Sequence, residues 1–257
     1  KLAGREITSN WSRFLFLFLC IALGVGAIVA VDLFAVNVEQ VILGDARALL
    51  GGDVELSWRR AITDKSRDVL NSLSDRGMVV SHATELAAMA TVENPDHQTP
   101  IPETASQLVE LKATDSAYPL YGRLIVDPDQ PVEQLLAPLP SRCRRSPCFG
   151  ALVQESLLIR LNLTVGRELR IGRTNFLITA VLKKEPDRIA NGFSLGPRVM
   201  ISREALEATT LVKTGSRIQE RYRLKISDSI SLEPLMGALR GRLSQEGAPV
   251  SSFRDAQ

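Results

Sequence analysis

One pattern in the sequence is typical of nucleophilic catalysis: GFSLG at residues 192–196, which matches the G-x-S-x-G motif of serine hydrolases. In those enzymes the serine lies on a sharp turn between a buried strand and a helix. Here a charged loop precedes Ser194, and Pro197 and a strand-like segment follow it. The histidines, His82 and His97, both precede the serine, whereas such hydrolases place the base after it. This context argues against a catalytic role for Ser194.

Two further patterns could in principle bind phosphate or a metal ion. GRELRIGRT, at residues 166–174, is close to a phosphate-binding loop, but its glycines are one residue too far apart and an arginine replaces the lysine. Neither histidine has carboxylates or thiols at metal-ligand spacing, so both are interpreted as surface or capping residues. The sequence therefore predicts no catalytic residue, no cofactor and no metal site, and we do not expect an enzyme.

The cysteines offer one more kind of chemistry. Cys20 lies in an apolar run, whereas Cys143 and Cys148 lie together in the segment SRCRRSPCFG. In an oxidising compartment this pair could close a small disulfide loop. Free thiols in a variable loop are the alternative, and the sequence leaves both open.

The apolar run from Phe14 to Val31, FLFLFLCIALGVGAIVAV, is the element around which the chain is organised. Extended to Val36, it is long enough, at about 1.5 Å per residue, to cross a hydrocarbon core of about 30 Å. A buried core helix is usually shorter, and a signal peptide has a shorter apolar region before its cleavage site. We therefore predict a transmembrane helix over residues 14–36.

The charges that flank this run predict its orientation. Lys1, Arg5 and Arg13 precede it, and acidic residues follow it closely. Because the positive flank of a membrane helix stays in the cytoplasm, residues 1–13 are predicted to be a cytoplasmic amphipathic segment. Residues after about 45 are then expected outside.

Small residues recur every four positions within the run, at Ala22, Gly26 and Ala30. Such a face lets a second helix approach the backbone closely, so we predict a packing face for other membrane helices. A chance spacing in an Ala- and Gly-rich helix is the alternative.

The composition excludes one class of partner. The net charge is +2, from 31 basic and 29 acidic residues, and no basic run contains interleaved aromatic residues, so nucleic acid is not an expected partner. The chain starts with Lys1 rather than Met and stops at Gln257 in a polar segment. We therefore expect it to be a fragment of a longer membrane protein.

Beyond the span, apolar residues at steps of three and four predict a helical stalk over residues 37–52. The core domain is then predicted over residues 53–257. Helices are predicted at 64–76, 150–163 and 232–243, a hairpin turn at 172–175 and a connecting region at 118–147.

We expect an α+β fold of split βαβ type in which residues 53–149 and 219–257 form one part and residues 150–218 form a small inserted β-rich subdomain. Neither half of the split part has enough apolar surface alone. Residues 222–253 are therefore expected to join one sheet with the strands of residues 53–113.

The order of these features resembles the FtsX-like/MacB-like permease family of bacterial ABC transporters, and within it the YbbP-type subgroup associated with a periplasmic lysophospholipase, lysophospholipase L1. The segments that carry the resemblance are GREITSNWSRFLFLFLCIALGVGAIVAV, ARALLGGDVELS, ESLLIRLNLTVGRELRIG and FSLGPRVMISREALEAT. The segment SRCRRSPC lies outside them. The resemblance implies an inner-membrane protein with a porter-like periplasmic core domain after its first transmembrane helix.

The resemblance also implies partners: a cytoplasmic ABC ATPase subunit, membrane lipid, and other permease helices or a second permease copy. The predicted function is therefore a permease subunit that couples ATP hydrolysis in the ATPase subunit to export or extraction of a hydrophobic or lipid-like compound. A single-pass extracytoplasmic sensor or binding domain is the alternative, and an anchored hydrolase is a third hypothesis.

Overall fold

The computed structural model describes residues 11–93, 104–139, 142–144, 146–188, 196–213, 215–227, 230–243, 247 and 249–253, with the backbone alone at 11–14, 35–46, 48–49, 93 and 104. The chain forms two compact units, Lys1–Asp45 and Ala46–Gln257. Of the predicted cytoplasmic segment, residues 1–10 lie outside the described part.

Helix α1 runs from Trp11 to Leu50. Its segment Leu15–Phe34 has a mean hydropathy of 2.6, is exposed throughout, and is long and apolar enough to cross a membrane. The prediction of an N-terminal apolar helix is confirmed, and residues 37–50 of the predicted stalk continue the same helix. A transmembrane role for residues 14–36 stays a prediction. The helix ends because Gly51 adopts a φ of +73°, a left-handed conformation that glycine tolerates without strain.

The rest of the described chain alternates strands and short helices. The strands are β1 (Val54–Trp58), β2 (Val79–Glu93), β3 (Thr104–Thr114), β4 (Ile125–Asp127), β5 (Cys148–Gln154), β6 (Glu168–Ile171), β7 (Thr174–Lys184), β8 (Arg198–Ser202), β9 (Gln219–Lys225) and β10 (Val250–Ser252). The helices are α2 (Asp64–Ser74), α3 (Val132–Leu135), α4 (Glu155–Leu161), α5 (Arg203–Thr209) and α6 (Leu232–Leu243).

The strands form one sheet in the order β10-β1-β9-β2-β3-β8-β5-β7-β4, and β6 pairs with both β2 and β7. The pairings from β2 through β3, β8, β5, β7 and β6 back to β2 therefore close a barrel. The open part of the sheet, β10-β1-β9, extends from the barrel at β2.

The open part of the sheet confirms that the C-terminal segment joins the first strands. β9 lies between β1 and β2, and β10 pairs with β1 on the other side. Helices α2 and α6 cover one face, and their apolar side chains share a core with this part of the sheet: Val54, Leu56, Trp58, Leu70, Leu73, Tyr222, Leu224, Leu235, Met236, Leu239 and Leu243. Helix α2 begins as predicted, because Thr63 Oγ1 accepts a hydrogen bond from Ser66 N at 3.3 Å.

The barrel encloses a second core, which α4 and α5 complete. It includes Ala90, Val109, Leu111, Phe149, Val153, Leu157, Ile171, Phe176, Ile178, Val199 and Ile201. Strands from residues 53–149 and from residues 150–218 thus share this ring. The division of the domain at these positions stays a prediction.

Two local predictions are wrong. Residues 150–154 were expected to begin a helix, but they belong to β5. The prediction failed because β5 is buried on both faces, so its apolar run has no strand periodicity. The connecting region at 118–147 contains β4 and α3, and its apolar side chains pack on the outside of the barrel.

Candidate functional site

The C-terminal end of α1 is held by a buried cation from the centre of the sheet. Arg223 Nε of β9 donates a hydrogen bond to the carbonyl oxygen of Leu50 at 2.8 Å. The last carbonyls of a helix lack intrahelical donors and carry partial negative charge, so a guanidinium there satisfies and stabilises the helix end. One turn earlier, Arg47 Nε lies 3.1 Å from Asp53 Oδ1, at the start of β1. One hydrogen bond from a guanidinium and one ion pair therefore hold the last turn of α1 against the adjacent strands.

Arg223 also connects the helix end to two carboxylates. Its side chain is 3% exposed, its Nη1 lies 2.6 Å from Asp187 Oδ2, and its Nε lies 3.1 Å from Glu55 Oε2. The strand register explains the second contact, because Glu55 of β1 is directly opposite Arg223 of β9. Asp187 comes from the loop after β7, so this one guanidinium joins the helix, two strands and a loop.

The loop that carries Asp187 lies close against the end of α1, and glycines make that approach possible. A Cβ atom on Gly51 would lie 3.0 Å from Arg223 Cδ and 3.0 Å from Asp187 Cβ. A Cβ atom on Gly122 would lie 2.7 Å from Pro186 Cβ. Larger residues at these two positions would push the loop away from the sheet.

Lys112 of β3 lies at the centre of the same set of charges, with its side chain 1% exposed. Its Nζ donates hydrogen bonds to Asp187 Oδ2 and to Tyr118 Oη, both at 2.9 Å, and to Glu185 Oε1. Tyr118 Oη in turn donates to Asp187 Oδ1. A buried ammonium of this kind is tolerated only when all three of its donors find partners, as they do here.

Arg198 and Arg221 extend the contacts to both sides of Lys112. Arg198 Nε lies 3.4 Å from Glu185 Oε2, and Arg221 Nη1 lies 2.9 Å from Glu55 Oε1. Both arginines also approach Glu85 of β2, at 3.7 Å and 3.5 Å. We call the whole set the ion network; its members are Glu55, Glu85, Glu110, Lys112, Glu185, Asp187, Arg188, Arg198, Arg221 and Arg223.

The ion network is balanced in charge. Five cations, Lys112 and four arginines, face five carboxylates, so the sum is 5 − 5 = 0. Burial alone would raise the pKa of Asp187, but Lys112 and Arg223 lower it well below its ordinary value. Burial likewise opposes ionisation of Glu85, yet the surrounding arginines lower its pKa. Because every charge is compensated within the protein, the ion network suits a fixed connection between elements rather than a site for a charged ligand.

Sequence reasoning missed the ion network. Its strand residues alternate with buried apolar ones, as in Glu55 between Val54 and Leu56, and this pattern is the one expected of a solvent-facing side. A signal was nevertheless present, because opposite charges recur on several strands: Glu55, Glu85, Lys112, Arg198, Arg221 and Arg223. Only the strand order shows that they share a face.

The predicted helix-packing residues Ala22, Gly26 and Ala30 lie on α1, and all three are exposed in the described part of the chain. Among the described residues, no atom outside the helix lies within 4 Å of a Cβ position at Gly26. A packing face for other membrane helices stays a prediction. Cys143, in the loop before β5, is joined by a disulfide to Cys148, the first residue of β5, and Cys20 is a free thiol.

Ser194 and His97 lie outside the described residues. His82 of β2 was interpreted as a surface or capping residue, and this is wrong: its Nε2 contacts Glu220, and its ring stacks on Tyr222 at 3.9 Å. The described residues contain no group of three or more side chains suited to hold a metal ion.

Comparison with known proteins finds sequence similarity to a transporter permease. No family model matches the sequence. The chain is 27% identical over 209 residues to the uncharacterized ABC transporter permease YbbP of Escherichia coli strain K12; this similarity covers 81% of the chain but 23% of the relative, so the chain spans about a quarter of that protein.

Two solved structures are similar at low scores. The periplasmic region of MacB from Actinobacillus actinomycetemcomitans gives a TM-score of 0.45 at 15% identity over 84% of this chain and 95% of that one. A domain of a putative permease from Porphyromonas gingivalis gives a TM-score of 0.43 at 12% identity, over 78% of this chain and 88% of that one. The sequence comparison confirms the predicted resemblance to a YbbP-type ABC transporter permease.

Proposed function

We propose that the chain is the N-terminal part of a permease subunit of a bacterial ABC transporter. The observation that carries this proposal is the 27% identity to the permease YbbP along 81% of the chain. A sheet-rich unit that follows one apolar helix supports it. The chain itself is then a transporter component, and ATP hydrolysis belongs to a separate cytoplasmic ATPase subunit.

In this proposal α1 crosses the inner membrane with its N-terminus in the cytoplasm, and residues after about 45 lie in the periplasm. The basic residues before the apolar run and the acidic residues after it support this orientation. Other permease helices, or a second permease copy, pack against the face formed by Ala22, Gly26 and Ala30.

The ion network is the part of the domain that couples to the membrane helix. A displacement at the end of α1 acts on Arg223, and Arg223 lies on a strand that pairs with β1 on one side and β2 on the other. Because Arg223 is itself buried and held by Asp187 and Glu55, its hydrogen bond to Leu50 transmits movement without a mobile linker. The cargo proposed for this movement is a hydrophobic or lipid-like compound, exported or extracted from the membrane.

Cysteine labelling tests the orientation on which the proposal depends. In a Cys20→Ser background, one cysteine is placed before the span by Ser9→Cys and, in a second variant, one after it by Arg59→Cys. We expect a membrane-impermeant maleimide to label Arg59→Cys in spheroplasts, and Ser9→Cys only after the membrane is opened. Labelling of Arg59→Cys from the cytoplasmic side alone contradicts the proposal.

A second experiment tests the coupling role. The full-length permease and its ATPase subunit are purified together, and ATP hydrolysis is measured in lipid nanodiscs for wild type and for Arg223→Lys. We expect Arg223→Lys to change the ATPase rate, because Arg223 contacts Leu50 and Glu55 through Nε and Asp187 through Nη1, and the single nitrogen of lysine does not reproduce this planar arrangement. Arg123→Lys, in an exposed ion pair with Asp129, is the matched control. Equal rates in both variants and wild type argue against coupling through Arg223.

A further inference from the structure

Positive charge is concentrated at one end of the barrel, in two segments that the ion network does not include. In the described residues of 142–147 and 164–175 the charged side chains are five arginines and one glutamate, a sum of 5 − 1 = +4, whereas the whole chain carries +2. The rest of the chain is therefore net negative, 2 − 4 = −2. We call this region the arginine surface; its basic members are Arg142, Arg144, Arg167, Arg170 and Arg173.

The fold brings these two segments together. Arg144 N donates a hydrogen bond to Glu168 Oε1 of β6 at 3.1 Å, and Asn175 N of β7 donates to the carbonyl oxygen of Pro147 at 3.3 Å. The disulfide between Cys143 and Cys148 closes the loop that carries Arg144, and Arg142 lies directly before this loop. These contacts hold the described part of this loop against the β6–β7 hairpin.

The strand pattern directs the remaining arginines outward. Leu169 and Ile171 of β6 are buried in the barrel core, so Arg170 between them faces the outside. Arg167 and Arg173 lie in the turns that flank β6, and both are exposed. The surface is thus formed by exposed or half-buried side chains on a rigid framework.

The arginine surface lies at the far end of the domain from the contact with α1. Strand β7 begins at Thr174, beside this surface, and ends at Lys184, just before Glu185 and Asp187 of the ion network. Eleven strand residues span about 33 Å at about 3.3 Å per residue. A partner bound here would not contact the ion network.

The side-chain chemistry favours a protein partner. The two segments contain arginine and no lysine. A planar guanidinium binds carboxylates through two parallel hydrogen bonds, and protein interfaces are enriched in arginine and depleted in lysine. We propose that the arginine surface is a docking site for a partner protein that presents a cluster of carboxylates. This proposal does not depend on a transport function.

Binding of a model polyanion tests the proposal. The full chain is placed in nanodiscs of neutral phosphatidylcholine, and the binding of fluorescent poly-L-glutamate is measured by anisotropy at low and physiological salt. The test variant combines Arg142→Glu, Arg144→Glu and Arg173→Glu. The control variant combines three exposed arginines elsewhere, Arg59→Glu, Arg76→Glu and Arg242→Glu, and has the same net charge.

We expect the test variant to bind poly-L-glutamate at least about tenfold more weakly than wild type, and the control variant to lose less than about threefold. At physiological salt, charges that lie farther from the bound polyanion than a Debye length of about 8 Å are screened, so nearby charges dominate the binding. Equal losses in both variants, or no binding by wild type, overturn the proposal. Tighter binding to vesicles of phosphatidylglycerol than to poly-L-glutamate, lost in the test variant, also overturns it in favour of a lipid surface. Melting curves verify folding, and Arg173→Glu alone replaces the triple variant if that variant is unfolded.

Discussion

Removal of the Arg223 side chain is the sharpest test of the ion network. In Arg223→Ala the carbonyl of Leu50 loses its donor, and Asp187 and Glu55 lose a cation that is 3% exposed. Lys112 remains beside Asp187, at 2.9 Å, so that carboxylate keeps one of its two cationic partners. The variant therefore leaves a buried site with excess negative charge.

The expected loss follows from these contacts. Breaking a buried ion pair by deleting one partner costs about 3–5 kcal/mol, because the other charge stays buried without compensation. A buried carbonyl without a donor costs about 1–3 kcal/mol, but part of this overlaps with the ion-pair loss because both interactions belong to one side chain. We expect a decrease of about 3–5 kcal/mol in the free energy of unfolding.

Urea unfolding of the full chain in detergent measures this loss. The chain has two tryptophans, and Trp58 is 3% exposed in the core beneath α2 and α6. In a Trp11→Phe background, the fluorescence of Trp58 reports on unfolding of the sheet domain alone. The matched control is Arg123→Ala, because Arg123 and Asp129 form an ion pair in which both side chains are about three-quarters exposed.

The control fixes what counts as refutation. An exposed pair contributes about 0–1 kcal/mol, so Arg123→Ala is expected to change the unfolding midpoint little. If Arg223→Ala is destabilised by less than about 1 kcal/mol, or by no more than Arg123→Ala, then the ion network does not depend on this guanidinium. The reasoning that makes Arg223 the attachment point of α1 would then be wrong.

Three further predictions concern other parts of the domain. A Cβ atom at Gly150 would lie 1.8 Å from the carbonyl oxygen of Leu135, so Gly150→Ala should lower the free energy of unfolding by more than about 2 kcal/mol in the same urea assay. Gly237→Ala, in an open helical position, should raise it by about 0.5–1 kcal/mol. Equal effects of the two substitutions would contradict the packing at Gly150. The pKa of Asp187 is lowered in the folded protein, so its contribution to stability is present above the unfolded pKa of about 3.9 and is lost as the pH falls toward the folded value. The urea midpoint of Asp187→Asn should therefore fall less than that of wild type between about pH 5 and pH 3. Parallel pH curves for the two proteins would refute this. Mass spectrometry after maleimide treatment of the denatured chain should show one modified cysteine, Cys20, without reductant and three with it, and three adducts in both cases would exclude the disulfide.

Local sequence patterns predicted elements whose form depends on nearby residues. The apolar helix, the helix 232–243 and the β6–β7 turn at Gly172 all follow from composition and spacing over a few turns or strands. The pairing of the C-terminal segment with the first strands was also predictable, because each half alone offers too little apolar surface for a stable core. That argument needs only the number of apolar residues in each half, which can be counted in the sequence.

The tertiary structure alone decided how the strands close and which charges meet. β5 could not be distinguished from a helix because a strand buried on both faces has no alternation, and its identity follows from its neighbours β7 and β8. Lys112 and Asp187 are 75 residues apart in the chain, and each would be read as a solvated charge in isolation. The sequence determines which residues alternate between the two faces of a strand. Whether a charged face meets water or other charges depends on contacts between distant segments, and only the folded chain supplies them.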